Sequence, residues 1–269
     1  MTAKTIAVCN QKGGVGKTTT AVNLAAYLSE IGKQTLLVDL DPQGNATISS
    51  GVDRTNFSRS TYDLLIDESS AQDVIVRSAI ERLDVIPSGL DLAGAEIRLA
   101  QIAERETVLR KICDPLRQRY EAIIFDCPPS LGLLTVNALV AADRVLIPVQ
   151  CEYLALEGLT SLLQAIELVK QSLNPGLLIG GIVFTMVDGR ANLTREVAEE
   201  VRNFFKDLVL QTTIPRNVRL AESPSFGKPI CAYDPRSTGA LAYQLLAKEV
   251  CEKLLDIAEP VKPEVAAGA

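Results

Sequence analysis

The sequence lacks histidine altogether, and its six cysteines include no C-x-x-C pair. Neither a zinc site nor a disulfide framework is therefore expected, and scattered thiols of this kind fit a reducing cytoplasm. No segment reaches 18 consecutive apolar residues, so we expect no membrane-spanning helix. The N-terminus shows no basic stretch followed by an apolar one, so we expect no secretory signal either.

The charge balance is acidic overall but not in every region. The net charge of −6 argues against a protein that coats DNA with its whole surface. Residues 185–236 carry eight Lys and Arg against seven Asp and Glu, which makes that region about +1. A local basic patch remains compatible with the composition.

Apolar, β-branched runs alternate with segments of helical spacing along nearly the whole chain. The expected strands are TIAVCN, QTLLVDL, LDVIPS, EAIIFDCP, RVLIPVQ and LLIGGIVFTMV. This alternation predicts an α/β fold, a mostly parallel twisted sheet with helices on both faces. We expect one domain over residues 1–257 and a flexible, proline-containing tail over residues 258–269.

The stretch CNQKGGVGKTTT follows the first expected strand and opens a helix, as a phosphate-binding loop of the P-loop NTPase type requires. It departs from the common pattern because Gln11 replaces the first glycine and a second lysine, Lys12, follows. Glycines let successive N–H groups converge on phosphate oxygens. Lys17 should reach the β- and γ-phosphates, and the Thr18 hydroxyl should ligate Mg²⁺. The residues expected to bind nucleotide here are Lys12, Gly13, Gly14, Val15, Gly16, Lys17, Thr18 and Thr19.

Carboxylates follow two of the expected strands. Asp39 and Asp41 end the run LLVDLDPQGNAT, where side chains overhang the ligand crevice of an open α/β sheet. From the residues alone they could hold Mg²⁺, orient water or cap the turn before Pro42. Asp126 ends the apolar run EAIIFD, the form of a Walker B strand, and its carboxylate should bind Mg²⁺. Alternatively, Asp126 could cap the turn that follows the strand. Cys127 is expected to be a small, buried apolar residue.

Lys12 is by itself compatible with a solvated loop charge or with a cation that assists phosphoryl transfer. The stretch KGGVGKTT resembles the deviant Walker A signature of the ParA/MinD group of ATPases, and DLDPQGN resembles that group's second signature. The resemblance implies an ATP-dependent sandwich homodimer in which Lys12 reaches the nucleotide of the partner. It also implies that Asp41 positions or activates the attacking water, and that Asp39 supports Mg²⁺ through water or hydrogen bonds.

Three branches of this group fit the sequence less well. The iron-protein reductases hold a [4Fe–4S] cluster by cysteines in glycine-flanked surroundings, which are missing here. MinD-type proteins end in an amphipathic membrane helix, whereas this chain ends in a proline-broken stretch poor in lysine, so we expect no membrane partner. Larger plasmid partition proteins carry an N-terminal helix-turn-helix domain, and here the nucleotide loop already begins near residue 12.

The chain most resembles the short chromosomal type of the group, often called Soj, above all in TIPRNVRLAESPSFGKPICAYDPRSTGA. The resemblance implies nonspecific DNA binding through Arg190 and Arg219, although each could also be a solvated surface charge. Further basic residues that could extend the patch are Arg195, Arg202, Lys206 and Lys228. The adenine-contacting loop would comprise Pro215, Arg216 and Asn217, with backbone groups such as those of Met186 reading the base. A turn before a helix is the alternative for this loop.

These features predict a cytoplasmic, nucleoid-associated ATPase that uses ATP and Mg²⁺ to partition chromosomes or plasmids. A ParB/Spo0J-like partner would stimulate hydrolysis to ADP, and a slow basal rate is expected because a timer needs a long-lived bound state. One alternative is a positioning ATPase of the same chemistry for another cargo. Another is a nucleotide-switched, sequence-specific repressor.

Overall fold

The computed structural model describes residues 2–53, 55, 57–67, 69–152, 155–188 and 192–255. Its centre is an eight-stranded sheet with the order β3-β4-β2-β5-β1-β6-β7-β8. The strands are β1 Lys4–Val8, β2 Thr35–Asp39, β3 Val76–Arg77, β4 Leu83–Ile86, β5 Ala122–Asp126, β6 Arg144–Gln150, β7 Leu178–Val187 and β8 Val209–Pro215. All neighbours pair in parallel except β3 with β4.

The predicted α/β fold with a mostly parallel sheet is confirmed. All six expected strand segments contain a strand, because each is a continuous apolar run of the kind that a sheet buried on both faces requires. The antiparallel edge strand β3 was not predicted. Its two residues are half-buried or exposed and carry no apolar run that could mark them.

Twelve α-helices flank the sheet within the described residues. They are α1 Lys17–Glu30, α2 Asn45–Ser49, α3 Thr61–Ile66, α4 Ala71–Val74, α5 Ala95–Leu99, α6 Val108–Cys113, α7 Leu133–Ala141, α8 Ala155–Ser172, α9 Asn192–Phe205, α10 Val218–Glu222, α11 Ile230–Tyr233 and α12 Thr238–Val250. Short 3₁₀ helices occupy Leu90–Gly94, Asp114–Gln118, Lys206–Leu208 and Ser223–Phe226. A π-helical turn at Cys251–Leu255 follows α12.

Helix α1 shows how sequence spacing and structure agree. The apolar face that begins at Ala21 and includes Leu28 is buried, and Gly32 stops the helix with a φ of 99°. Ile31 was expected on the same face but lies just beyond the helix and is 39% exposed. The α-helical period therefore applies up to Glu30 and ends one residue before Ile31.

The sheet separates two hydrophobic cores, as strand alternation requires. In β1, Ile6 and Val8 face the core under α1 and α12, whereas Ala7 faces the core under α7 and α8. Because the strands are parallel, the carboxyl ends of β1, β2 and β5 meet at one edge. This edge carries the loops that form the site below.

Two sequence-based expectations lie outside the described residues. These are the DNA-binding role of Arg190 and the proposed boundary between a domain ending at 257 and a tail over 258–269. In the part of the chain that the structure describes, no helix is both long and apolar enough to cross a bilayer.

Candidate nucleotide-binding site

The glycine loop runs from the end of β1 to the start of α1, as its sequence predicts. Gly14 and Gly16 have φ values of 76° and 85°, a left-handed conformation that residues with a Cβ rarely adopt. Gly16 is the N-cap of α1, so the unpaired N–H groups of the first helical turn open towards the loop. Gly13 and Gly14 are exposed, and Val15 is buried beneath them. The loop thus has the form of an anion-binding cradle.

Lys17 lies at the inner wall of this cradle. Only 6% of Lys17 is exposed, and its Nζ donates a hydrogen bond to the carbonyl oxygen of Lys12 at 3.0 Å. Burial lowers the pKa of Lys17, while the negative charge of Asp126 acts in the opposite direction. The ammonium group is therefore held beside the loop without a direct carboxylate hydrogen bond among the described residues. Thr18 and Thr19 follow it, half-buried in the first helical turn.

Asp126 and Asp39 occupy paired positions at the ends of β5 and β2 and are fully buried. Both carboxylate oxygens of Asp126 lack a hydrogen-bond partner among the described residues. Burial raises the pKa of Asp126 well above its ordinary value, and the charge of Asp39 adds to this, whereas the neighbouring Thr18 hydroxyl, which does not reach full hydrogen-bond geometry, and the positive charge of Lys17 oppose it. A buried carboxylate without a partner is costly unless a cation completes the site.

Asp39 is bound differently from Asp126. Its carboxylate accepts hydrogen bonds from the Asp41 N–H at 3.1 Å, the Thr47 N–H at 2.8 Å and the Thr47 hydroxyl at 2.7 Å. Burial still raises the pKa of Asp39 to about 6, although the Thr47 bonds oppose this. These hydrogen bonds to the Asp39 carboxylate hold the loop that carries Asp41 in place.

Asp41 is half-buried on that loop, and its Oδ1 accepts from the Gln43 N–H at 2.9 Å. The Ser88 hydroxyl donates to the Asp41 carbonyl at 2.7 Å, and the Ser88 N–H donates to the Thr47 hydroxyl oxygen at 2.9 Å. Thr47 and Ser88 are functional candidates that sequence reasoning missed. The Ser88–Thr47 contact joins positions 41 residues apart, and no local pattern signals it.

Residues with the chemistry of a magnesium site therefore converge at this edge. The Thr18 hydroxyl and the Asp126 carboxylate are hard oxygen donors, which Mg²⁺ prefers, and they adjoin the cradle suited to phosphates. Asp39 lies behind them, with its oxygens already engaged by Thr47 and Asp41. The donor set fits an ion held by one or two protein groups and by nucleotide phosphates.

Lys12 lies on the outer rim of the same loop. Its N–H donates to the Asn10 side-chain oxygen at 3.0 Å, and its Nζ pairs with Glu152 Oε2 at 2.5 Å. The side chains of Lys12 and Glu152 are 34% and 49% exposed, so solvent screens this ion pair. The two lysines of the loop thus occupy different environments, with Lys17 directed inwards and Lys12 at the surface. Glu152 was not singled out by the sequence.

A cavity of about 170 Å³ adjoins the loop between the ends of β7 and β8. Its lining consists of Gly16, Thr19, Thr185, Met186, Ile214, Pro215, Arg216, Asn217, Leu220, Ala221 and Tyr243. All four residues expected at the base are among them. The cavity is mostly apolar and lies at the side of the phosphate cradle, which is the form of a site for a planar base. Tyr243, on α12, was missed because it is distant in sequence from residues 215–217, and Leu220, on α10, was not singled out although it lies three residues after Asn217.

Residues 215–217, called the base loop below, make different contacts from one another. Asn217 caps α10, since its Oδ1 accepts from the Leu220 N–H at 3.2 Å and its Nδ2 donates to the Thr238 hydroxyl at 2.8 Å. The Arg216 N–H donates to the Val187 carbonyl at 3.2 Å. The loop is therefore both a turn before a helix and a wall of the cavity, so the two interpretations of the sequence are compatible. Met186 has a φ of 51°, an uncommon value for a residue with a side chain.

Arg219 lies on α10, with 54% of its side chain exposed. Its guanidinium pairs with Glu222 at 3.0 Å and with Asp234 at 3.4 Å, and the Tyr233 hydroxyl donates to the same Glu222 oxygen at 3.1 Å. Hydrogen bonding and charge from Glu222 raise the pKa of Arg219. The arginine is accessible but already has two carboxylate partners.

The additional basic residues do not form one surface with Arg219. Lys228 is exposed and lines a cavity with Thr18 and Asn23, on the same face of the sheet as Arg219. Arg195 and Arg202 lie on α9, which packs on the opposite face, and the Arg202 guanidinium stacks over the Phe184 ring at 5.0 Å. Lys206 follows α9. The expected patch is therefore divided by the edge strand β8.

The chain is similar in sequence to proteins of one known family. Residues 3–179 match the family described as an AAA domain. The chain is 56% identical over 247 residues to the sporulation initiation inhibitor protein Soj of Bacillus subtilis (strain 168), covering 92% of this chain and 98% of Soj. It is 52% identical over 248 residues to the chromosome partitioning protein ParA of Myxococcus xanthus (strain DK1622), covering 92% and 88%.

Among solved structures, a cobyrinic acid a,c-diamide synthase from Mycobacterium smegmatis, with bound ATP analogue and magnesium, superposes with a TM-score of 0.80 at 38% identity. The match covers 91% of this chain and 93% of that one. Soj and ParA are more similar to this chain in sequence than the synthase is, and their matches cover nearly the same share of the chain. The chain therefore belongs to the ParA/Soj family of chromosome-partitioning ATPases.

Proposed function

We propose that the protein is a partition ATPase whose ATP-bound sandwich dimer binds DNA without sequence preference. ATP and Mg²⁺ close the dimer, and Lys12 of each subunit reaches the nucleotide of the other. A ParB/Spo0J-like protein stimulates hydrolysis, after which the ADP-bound subunits leave the DNA. The protein is cytoplasmic, acts on the nucleoid and has a slow basal rate. The observation that carries the proposal is the contrast between Lys17, buried in the cradle, and Lys12, exposed on its rim.

In this account the phosphates lie in the cradle formed by Gly13, Gly14 and Gly16, and the base enters the cavity beside Met186. The Lys17 ammonium binds the β- and γ-phosphates. Mg²⁺, when bound, would offset the negative charge that develops on the phosphates. Thr18 and Asp126 would hold the ion, which would give the buried Asp126 carboxylate the partner that it lacks.

Hydrolysis requires water to attack the γ-phosphorus while the bond to the bridging oxygen breaks and ADP leaves with the electron pair. Asp41 stands at the mouth of the cradle on a loop fixed by Asp39 and Ser88, and it positions that water. Lys12 must leave the exposed ion pair with Glu152 to cross the interface, which costs little because such pairs contribute about 0–1 kcal/mol. From the partner it then stabilises the transition state.

The test is nucleotide-dependent dimerisation followed together with hydrolysis. In sedimentation velocity with Mg²⁺ and ATP, we expect dimers of the wild type and of Asp41→Ala but monomers of Lys12→Ala and Lys17→Ala. Hydrolysis should fall by about 100-fold or more in Asp41→Ala, the scale of losing a group that positions a reactant. Dimers of Lys12→Ala as stable as those of the wild type would contradict the crossing lysine. A fully active Asp41→Ala would contradict its role with water.

A further inference from the structure

Two buried thiols at the site take no part in the proposed hydrolysis. Cys9 follows β1 and Cys127 follows β5, and the preceding residues Val8 and Asp126 are paired in register. Both side chains point into the same core and are at most 1% exposed. Their sulfur atoms are 2.9 Å apart. Each cysteine is therefore covalently adjacent to a residue of the nucleotide site or its loop.

We propose that Cys9 and Cys127 form an oxidisable dithiol, which a hydroperoxide converts to a disulfide that weakens nucleotide binding. One thiol attacks the peroxide, the O–O bond breaks, and a sulfenic acid and one molecule of water or alcohol form. The second thiol then displaces the sulfenic oxygen as water and forms the S–S bond. The two thiols lose two electrons and two protons, and the peroxide is reduced by the same number.

The backbone geometry suits this bond. Adjacent strands lie about 4.8 Å apart, within the range of about 4.4–6.8 Å that separates the Cα atoms of disulfide-bonded cysteines. The paired positions also direct both Cβ atoms to the same face of the sheet. Closure thus needs a movement of the two sulfurs by less than an ångström, from 2.9 Å to about 2.05 Å.

Such a small movement matters because of what is attached to each cysteine. Cys127 follows Asp126, the proposed Mg²⁺ ligand. Cys9 precedes Asn10, whose side chain donates to the Pro148 carbonyl at 2.7 Å and accepts from the Lys12 N–H at 3.0 Å. Drawing the two sulfurs together displaces the start of the phosphate loop relative to the metal carboxylate. This functional consequence rests on the proposed nucleotide site, whereas formation of the bond does not.

Burial also predicts when oxidation occurs. Since both thiols are covered in the closed structure, peroxide reaches them only when the loop opens. Bound nucleotide stabilises the closed form by mass action, so Mg²⁺ with ATP should slow the reaction. The dithiol would thus be oxidised mainly in molecules without nucleotide.

The experiment treats the full-length protein with hydrogen peroxide, with and without Mg²⁺ and ATP, blocks remaining thiols and digests it with trypsin without reductant. The expected product is peptide 5–12 linked to peptide 120–144, two hydrogen atoms lighter than the reduced pair. It should form in Cys113→Ser, a matched control at another buried cysteine, and be absent from Cys9→Ser. ATP affinity should fall on the order of tenfold after oxidation and recover with dithiothreitol, since ångström-scale shifts in such sites have effects of up to ~100-fold.

Absence of the linked peptides from oxidised wild type would overturn the proposal without use of any variant. Linked protein that binds ATP as tightly as reduced protein would overturn the effect on the site. If untreated protein binds no ATP, the proposed function fails instead, and the linked peptides can still be sought. The two failures are therefore distinguishable.

Discussion

The Asp126 carboxylate is suited to binding a cation, but in the absence of one its burial destabilises the folded protein. Its carboxylate is fully buried without a hydrogen-bond partner in the described part of the chain, and burial raises its pKa well above 3.8. Between the unfolded and folded pKa values the native state holds the extra proton. This contribution to stability is therefore present at low pH and is lost as the pH rises through the folded pKa.

We predict that Asp126→Asn stabilises the nucleotide-free protein at neutral pH by about 1–3 kcal/mol, because a neutral amide is less costly to bury than a carboxylate that must stay charged or take up a proton. The gain should shrink as the pH falls towards and below the unfolded value of 3.8, because the wild-type carboxyl then becomes protonated in the unfolded state as well as in the folded one. Urea unfolding of both proteins in EDTA across this pH range measures the difference. Mg²⁺ with ATP should raise the melting temperature of the wild type and have little effect on the variant. A variant less stable than the wild type at every pH would show that Asp126 has a partner.

Arg219 is restrained by carboxylates, so its proposed DNA contact competes with contacts inside the subunit. Removing the charge of Glu222 while keeping its shape should release the guanidinium from its closer partner. We predict that Glu222→Gln increases affinity for duplex DNA with ATP by up to about fivefold, since exposed ion pairs contribute at most ~1 kcal/mol. Fluorescence anisotropy at fixed salt would measure this.

A matched control separates this local effect from the change in net charge. Glu81 is 88% exposed beside Arg82 on the loop before β4, and neither carboxylate partner of Arg219 lies on that loop. Glu81→Gln changes the net charge equally and should leave DNA affinity nearly unchanged. Equal gains in the two variants would show that only overall charge matters, and the Arg219 contact would lose its support.

At the scale of elements, the join between the glycine loop and α1 determines the shape of the cradle. Gly16 has a φ of 85°, which a residue with a Cβ adopts at a cost of about 1–2 kcal/mol. We predict that Gly16→Ala destabilises the protein by that amount and abolishes nucleotide binding, as thermal unfolding and ATP titration would show.

Gly158 provides the control for this substitution. It lies inside α8, and apart from its own helical turn no atom of the described residues lies within 4 Å of an added Cβ, so Gly158→Ala should stabilise the helix by about 0.5–1 kcal/mol and leave nucleotide binding intact. If Gly16→Ala bound ATP normally, the left-handed N-cap would not be required for the cradle.

Elements whose signal is local could be predicted from the sequence. The buried strands have continuous apolar runs, and the phosphate loop has its glycines between a strand and a helix. Contacts between distant segments could not be predicted in this way. The pairing of Lys12 with Glu152, the support of Asp39 by Thr47 and Ser88, and the contribution of Tyr243 to the base cavity each depend on how the chain returns to the same sheet edge.

The predicted basic patch illustrates the same limit. Residues 185–236 are close in sequence and include all six basic candidates for the DNA-binding patch. In the structure, α9 and α10 lie on opposite faces of the sheet, with the edge strand β8 between them. Charge counted along the chain therefore overestimates how many cations share one surface. Of the two arginines favoured by the resemblance, only Arg219 lies in the described part of the chain.

At the scale of the whole molecule, the site lies at one edge of the sheet, with Lys17 and Asp126 inside and Lys12 at its open rim. We propose one order of steps that links this arrangement to DNA. In that proposal ATP closes the dimer through Lys12, the dimer presents Arg219 to phosphates, and Asp41 ends the bound state by hydrolysis. Each step depends on the one before it, so DNA binding reports on all of them.

The measurement that tests this order most directly is binding to unrelated duplex DNA with ATP, ADP or no nucleotide, over a salt series. We predict that wild-type binding to DNA requires ATP and weakens as the salt concentration rises. The cationic side chains of the protein displace counterions from the DNA phosphates, and this release is less favourable at high salt. Binding should persist in Asp41→Ala and be lost in Lys12→Ala and Arg219→Ala. Wild-type protein that binds no DNA with ATP, or binds equally with ADP, would contradict the central claim.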